Sequence, residues 1–106
     1  MPKNETSSKY HSKSQQRILK IIFILAGHEI DGLSNGEISK AIKVEPCKVT
    51  RDLGNLRIAG LAEKLFETER WRLTPKLSQI GLAMLEGIDK SQRKTDEVKQ
   101  RYTRKP

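Results

Sequence analysis

Between Cys47 and Asn55 the segment CKVTRDLGN brings a lysine, a threonine, an arginine and an asparagine together over little more than two helical turns. The guanidinium of Arg51 can donate two parallel hydrogen bonds to guanine O6 and N7, and the amide of Asn55 can pair with adenine N6 and N7. Lys48 suits guanine or a phosphate, and Thr50 a phosphate or a thymine methyl. At 100° per residue a helix places Cys47, Lys48, Arg51, Gly54, Asn55 and Ile58 on one face and Val49, Leu53 and Leu56 on the opposite one, with Thr50 and Arg57 on a flank. The apolar back would pack while the polar front stays free to meet base edges in a major groove. Cys47, on that front, reads as a small residue tolerated there.

The surrounding elements must hold this helix, expected over 46–59. Pro46 suits its first position, where a missing N–H costs nothing, and Gly60 ends it. Upstream, Ser34-Asn35-Gly36-Glu37 has the capping-box pattern, with Ser at the cap and Glu three residues on. It opens a short helix to about Ala41 that buries Ile38 and Ala41, and Ile42-Lys43-Val44 forms the turn between the two. Ser34 is foremost a cap, and the free N–H groups behind it suit a phosphate. Downstream, Leu61–Leu65 and Arg70–Leu73 alternate as short strands around a tip of Phe66-Glu67-Thr68-Glu69. Lys64, Arg70 and Arg72 on those strands are candidates for phosphate or minor-groove contact. Equally, Arg70 and Arg72 can pair with Glu63 or Glu69. Glu67 and Glu69 at the tip would repel phosphates.

A first helix is expected from a Ser14 cap to about Ala26, with Ile18, Ile21, Ile22 and Leu25 as its packed stripe. Phe23 and Ile24 fall outside that stripe and need cover from the C-terminal helix or from a second copy, which makes them a candidate homodimer seam. Thr74-Pro75 opens a last helix over 75–87 that buries Leu77, Ile80, Met84 and Ile88 along one line, with Gly81 allowing close approach. The expected fold is mainly α with a small β-hairpin: a winged helix-turn-helix with a three-helix core, a two-stranded wing and a closing C-terminal helix. The expected organisation is a flexible basic arm over 1–13, the domain over 14–88, and a basic polar tail over 89–106, flexible or nascent helix.

Composition fits one small domain of 106 residues, 35% apolar and 5% aromatic, with a net charge of +8. The excess is in the ends. Residues 1–17 carry four cations against Glu5, and residues 87–106 seven against Asp89, Asp96 and Glu97, while 18–86 is nearly balanced. A basic chain points to a polyanion, here double-stranded DNA, and cationic ends would steepen the salt dependence of binding. A single cysteine forms no internal disulfide and, with two distant histidines, no zinc site of standard spacing. No cofactor and no metal are expected. The polar N-terminus is no secretory signal, and the run from Ile18 to Ala26 is too short for a bilayer, so the cytoplasm is the expected location and no membrane the expectation. Without paired carboxylates in a cleft, a nucleophile elbow or a phosphate loop, no enzyme activity is expected. A winged helix can also serve as a protein-interaction adaptor or as a non-specific architectural nucleic-acid binder, and both stand as alternatives.

Three ordered segments carry a resemblance: GLSNGEISKAI from Gly32, VEPCKVTRDLGNL from Val44 with IAGLAEK after it, and RWRLTPKLSQIGLAML over 70–85. Together they resemble the N-terminal DNA-binding domain of the IclR family of transcriptional regulators, over roughly residues 14–86. The matching positions are Gly32, Leu33 and Ser34 with Glu37, then Cys47, Lys48, Val49, Arg51 and Leu53, then Trp71, Arg72 and Leu73 with Pro75. The resemblance implies a winged-helix regulator of transcription, a repressor by family habit. Full-length members carry an effector-binding domain after the closing helix. Here only residues 87–106 follow, so no small-molecule effector is expected. Asp52 and Gly54 depart from the pattern, which favours an apolar residue or a better helix former there.

Overall fold

The structure, a computed structural model, describes residues 9–104. It contains α1 (Lys13–Leu25), α2 (Asn35–Ile42), α3 (Pro46–Ile58), β1 (Ala62–Lys64), β2 (Trp71–Leu73) and α4 (Pro75–Thr103). The chain divides at Thr74 into two compact units. The first holds the helix-turn-helix and its wing, and the second is α4.

In the first unit the core is Ile21 and Leu25 from α1, Ile38 from α2, Val49, Leu53 and Leu56 from α3, and Ala62 and Trp71 from the hairpin. The stripes expected for α1 and α3 are those that pack. Helix α1 starts two residues early, because Ser12 rather than Ser14 is its cap and accepts from the Gln15 N–H. Of the arm expected over 1–13, residues 1–8 lie outside the described residues, and Lys13 already belongs to α1. Phe23, for which cover by the C-terminal helix or by a second copy is expected, is 78% exposed, and Ile24 is half-buried.

Helix α2 has the full capping box: the Glu37 N–H donates to Ser34 Oγ at 3.1 Å, and the Ser34 N–H donates to Glu37 Oε1 at 2.9 Å. Ala41 is exposed, and Ser39 is buried in its stead. The reason is the turn into α3. Lys43 takes a left-handed conformation (φ 58°), which brings Val44 back over α2. There the Val44 N–H donates to the Ser39 carbonyl at 3.1 Å while Ser39 Oγ donates to the Val44 carbonyl. A buried hydroxyl is tolerable where it closes such a turn.

Strands β1 and β2 pair antiparallel with Glu63 opposite Arg72. Leu33 adds a third, one-residue strand by exchanging both backbone bonds with Trp71 at 2.7 and 2.8 Å. This contact sets the need for Gly32. Its φ is +70°, and a Cβ there would lie 2.5 Å from the Trp71 carbonyl oxygen.

In the second unit α4 does not stop at Gly87. It runs 29 residues, and none of them is buried. Met84 and Ile88, expected in a core, are 65% and 60% exposed, and Ile80 is also exposed. Of the tail expected over 89–106 as flexible or nascent helix, residues 89–103 are regular helix. Glutamine, lysine, arginine and glutamate favour helix, and Glu86–Lys90, Asp89–Arg93 and Glu97–Arg101 each set an acid four residues before a base. Gly87, at about 1 kcal/mol against alanine, is too weak a breaker against that run.

Gly32→Ala is expected to destabilise the first unit by about 1–3 kcal/mol or more, combining a left-handed alanine with the backbone collision. Thermal unfolding followed by circular dichroism should show a fall of several degrees. An unchanged transition would mean that Leu33 and Trp71 are not so closely paired.

Candidate nucleic-acid interface

The outward face of α3 is built from behind. Val49, Leu53 and Leu56 face the core, and beside them lies Asp52, a carboxylate 3% exposed. A buried carboxylate demands a partner, and Arg17 of α1 supplies it. Its Nη2 donates to Asp52 Oδ1 at 2.9 Å and its Nε to Oδ2, with the two side chains 15% and 5% exposed. The hydrogen bond to Asp52 is the main influence on the guanidinium and raises its pKa above the ordinary value. The fork-on-carboxylate geometry fixes direction as well as distance, so it holds α3 in rotation against α1. Arg17, counted by sequence among the cations of the N-terminal end, is therefore spent inside the fold. At 100° per residue Asp52 falls at the edge of the core face, about 40° from Leu56 and about 60° from Val49.

A second tie comes from α2. Asn35 Nδ2 donates to Thr50 Oγ1 at 2.6 Å, and Thr50 Oγ1 donates to the Pro46 carbonyl at 3.0 Å. A hydroxyl has one proton, so Thr50 has no donor left for a phosphate. Its methyl group remains.

The rest of the face stands outward. Cys47, Lys48, Arg51 and Asn55 are all exposed. Arg51 enters no ion pair among the described residues. Asn55 Nδ2 donates to the Arg51 carbonyl at 3.1 Å, leaving its second amide proton and Oδ1 for other partners. Lys48 lies 3.2 Å from Glu45 in an exposed pair of little strength, which a phosphate would readily displace. Ser34 is committed to its cap.

Both wing arginines take the ion-pair alternative, Arg72 with Glu63 as expected and Arg70 with another carboxylate. Arg70 pairs with Glu37 at 2.8 Å, not with Glu69, and also donates to the carbonyls of Asp31 and Gly32 at 3.1 and 3.0 Å. Arg72 donates to Glu63 at 3.1 Å and to the Glu29 carbonyl at 3.3 Å. Both arginines thus bind the wing to the loop before α2. Lys64 is half-buried, its ammonium 5.9 Å from the centroid of the Trp71 ring. Cations are instead available near the start of α1. An open pocket of about 250 Å³ beside the α2–α3 turn is lined by Lys13, Lys20 and Lys48 with His11 and Arg17, over an apolar floor of Ile42 and Val44. Among the described residues no group of three or more His, Cys, Asp or Glu gathers as metal ligands would, and no helix is long and apolar enough to cross a membrane.

This arrangement is a winged helix-turn-helix, and solved structures share it. One mutant of Lactococcus lactis ZitR aligns with TM-score 0.50 at 23% identity, covering 82% of this chain and 61% of its own. A second ZitR mutant, in apo form, aligns with TM-score 0.53 at 21% identity, covering 92% and 76%. A mutant of S. aureus MepR bound to an oligodeoxyribonucleotide aligns with TM-score 0.50 at 19% identity, covering 87% and 77%. These structures support the winged helix-turn-helix fold and not the IclR family specifically. The likeness is one of fold, and the chain spans about three fifths of the first ZitR structure's length. No family model and no curated protein matches the sequence.

Two outcomes test the framework behind α3. Asp52→Ala is expected to cost about 3–5 kcal/mol, because it strands a buried cation, whereas Arg17→Met with Asp52→Leu should recover much of that loss. Chemical denaturation measures both. An Asp52→Ala variant as stable as the parent would show that the pair does not hold α3. Glu37 gives a pH dependence. Its bond from the Ser34 N–H, aided by the Ser34 hydroxyl and Arg70, lowers its pKa below the ordinary value. Its contribution is therefore complete above the ordinary carboxylate pKa and is lost as pH falls through the depressed one. Glu37→Gln, which keeps the capping box, should flatten the acid side of the profile of melting temperature against pH. A profile that superposes on the parent's would remove Glu37 from this role.

Proposed function

We propose that the protein is a DNA-binding regulator of transcription that reads the major groove with α3. The carrying observation is the division of α3: Asp52 clamped to Arg17 behind, Arg51 exposed and free of ion pairs in front. In this reading Arg51 takes guanine and Asn55 adenine, and the Thr50 methyl meets thymine beside them. Lys48, with Lys13 and Lys20 around the shared pocket, supplies phosphate contacts. Arg70 and Arg72 serve the wing itself, and Lys64 is the wing cation left for the backbone of the duplex. The N-terminus of α2 behind Ser34 offers a further phosphate seat.

Finer assignments rest on sequence. The ordered segments from Gly32 to Leu85 favour an IclR-like origin of the reading unit and repression as the outcome. Pairing of two copies would set two α3 helices on one duplex. Phe23, with Ile24 beside it, is an exposed apolar patch suited to contribute to that pairing. The oligonucleotide in the MepR structure supports the general use, since a winged helix of this shape binds DNA there.

Selection from random duplexes, followed by titration of the winner and a scrambled control at two salt concentrations, tests the reading. The winner should bind better, and Arg51→Ala should weaken it by about 1–3 kcal/mol, a factor of roughly 5 to 150, while relaxing the preference at one base pair. If Arg51→Ala leaves affinity and preference as they were, α3 is not the reader. Equal, strongly salt-dependent binding of both duplexes would indicate architectural binding instead.

A further inference from the structure

Helix α4 carries an uninterrupted heptad seam. Leu77, Gly81, Met84 and Ile88 recur at alternating steps of four and three residues, and Ser91, Thr95, Val98 and Tyr102 continue the same spacing to the end of the helix. No charge lies on the seam over four heptads, although Glu86, Asp89, Lys90, Arg93, Asp96 and Glu97 crowd the positions away from it. A strict 3.5-residue repeat of this length is the signature of a coiled-coil strand. Yet no residue of α4 is buried, and Met84, Ile88 and Tyr102 are largely exposed.

We propose that α4 pairs with α4 of a second copy in an antiparallel, two-stranded coiled coil overlapping along its whole length of about 43 Å. Volume and charge select this occupant and direction. In an antiparallel pair a residue at one kind of seam position lies level with the other kind on the partner. With full overlap every layer joins unlike residues. Leu77 meets Tyr102 of the second copy, Gly81 meets Val98, Met84 meets Thr95 and Ile88 meets Ser91. Small residues thus lie opposite large ones, and each polar residue has an apolar neighbour. Thr95 can be covered cheaply, because its hydroxyl already donates to the Ser91 carbonyl at 3.0 Å.

The flanking positions decide the direction. Lys94, Lys99 and Arg101 border the seam in the C-terminal half, while Ser78, Ile80, Leu85 and Gly87 border it in the N-terminal half. A parallel pair would set Lys94 of each strand against Lys99 of the other, two like-charge contacts. The antiparallel pair sets Lys99 against Ser78, Arg101 against Ile80 and Lys94 against Gly87, with the arginine stem able to cover the isoleucine. The seam is independent of Phe23 and of whether α3 reads DNA.

Sedimentation of the full chain at micromolar concentration should show a dimer. Ile88→Glu and Met84→Glu should convert it to a monomer and lower the helical circular dichroism, while Phe23→Ser leaves the dimer intact. Retention of the first unit's thermal transition separates lost pairing from misfolding. With Cys47→Ser as background, a mixture of M84C and T95C copies should form a mixed disulfide on oxidation, and T95C alone should not. A monomeric parent protein would overturn the proposal. So would a T95C self-disulfide, a dimer that lacks the M84C–T95C crosslink, or a dimer lost with Phe23→Ser but kept with Ile88→Glu.

Discussion

The bidentate contact between Arg17 and Asp52 is the constraint from which the geometry of the first unit follows. A carboxylate on the packed side of α3 cannot be buried alone, and burying it unpaired would leave the helix rolled outward or the core open. The guanidinium reaching over from α1 satisfies both oxygens at once. Because the fork and the carboxylate are planar, the contact restricts rotation of α3 about its own axis more than an apolar contact of the same area would. Asn35 on Thr50 and Ser39 on Val44 then settle the angle between α2 and α3. What remains of α3 is a front whose direction is fixed by its back, which a reader of base edges requires.

The same economy governs the cations. Arg70 and Arg72 hang from strand β2 and its flank, yet their guanidinium groups turn inward, onto carbonyls of Glu29, Asp31 and Gly32 and onto the carboxylates of Glu37 and Glu63. They hold the loop before α2 against the wing at the point where Gly32 approaches the Trp71 carbonyl too closely for any side chain. Guanidinium suits this task, since one group can bridge a carboxylate and two carbonyls. The wing is therefore a brace for the start of α2, and its free positive charge is small.

Where local chemistry decides, the sequence was legible. The capping box at Ser34, the proline start of α3, the apolar stripes of α1 and α3, and the hairpin around its Phe66–Glu69 tip each follow from side chains within a few residues of one another. The outward placement of Lys48, Arg51 and Asn55 follows from the same periodicity. Long-range pairing was less legible. Arg17 and Asp52 lie thirty-five positions apart, so no local pattern joins them, although Asp52 falls on the packed side of its helix. Thr50 looked available because its partner Asn35 lies on another helix. For α4 a helical period of 3.6 makes the apolar line a stripe facing a core. Read at 3.5 over the full 29 residues, the line continues past Gly87 through Ser91, Thr95 and Val98, and the neutrality of these positions becomes its clearest mark.

The two units have complementary requirements. The first unit, whose arginines at 17, 70 and 72 are engaged internally, has few free cations with which to hold a polyanion, and affinity for DNA rises steeply with the number of phosphates neutralised. One way to recover affinity without more charge per unit is to join two units, because the second binding event then proceeds at a high effective concentration. A long helix with an apolar seam has the converse need. Alone in water it exposes methionine, isoleucine and tyrosine, and much of the stability of such a helix must come from packing rather than from propensity. Joining two copies through the seam meets both needs with one contact. The lysines and arginines beside it then act as determinants of strand direction, which accounts for basic residues so close to an uncharged line.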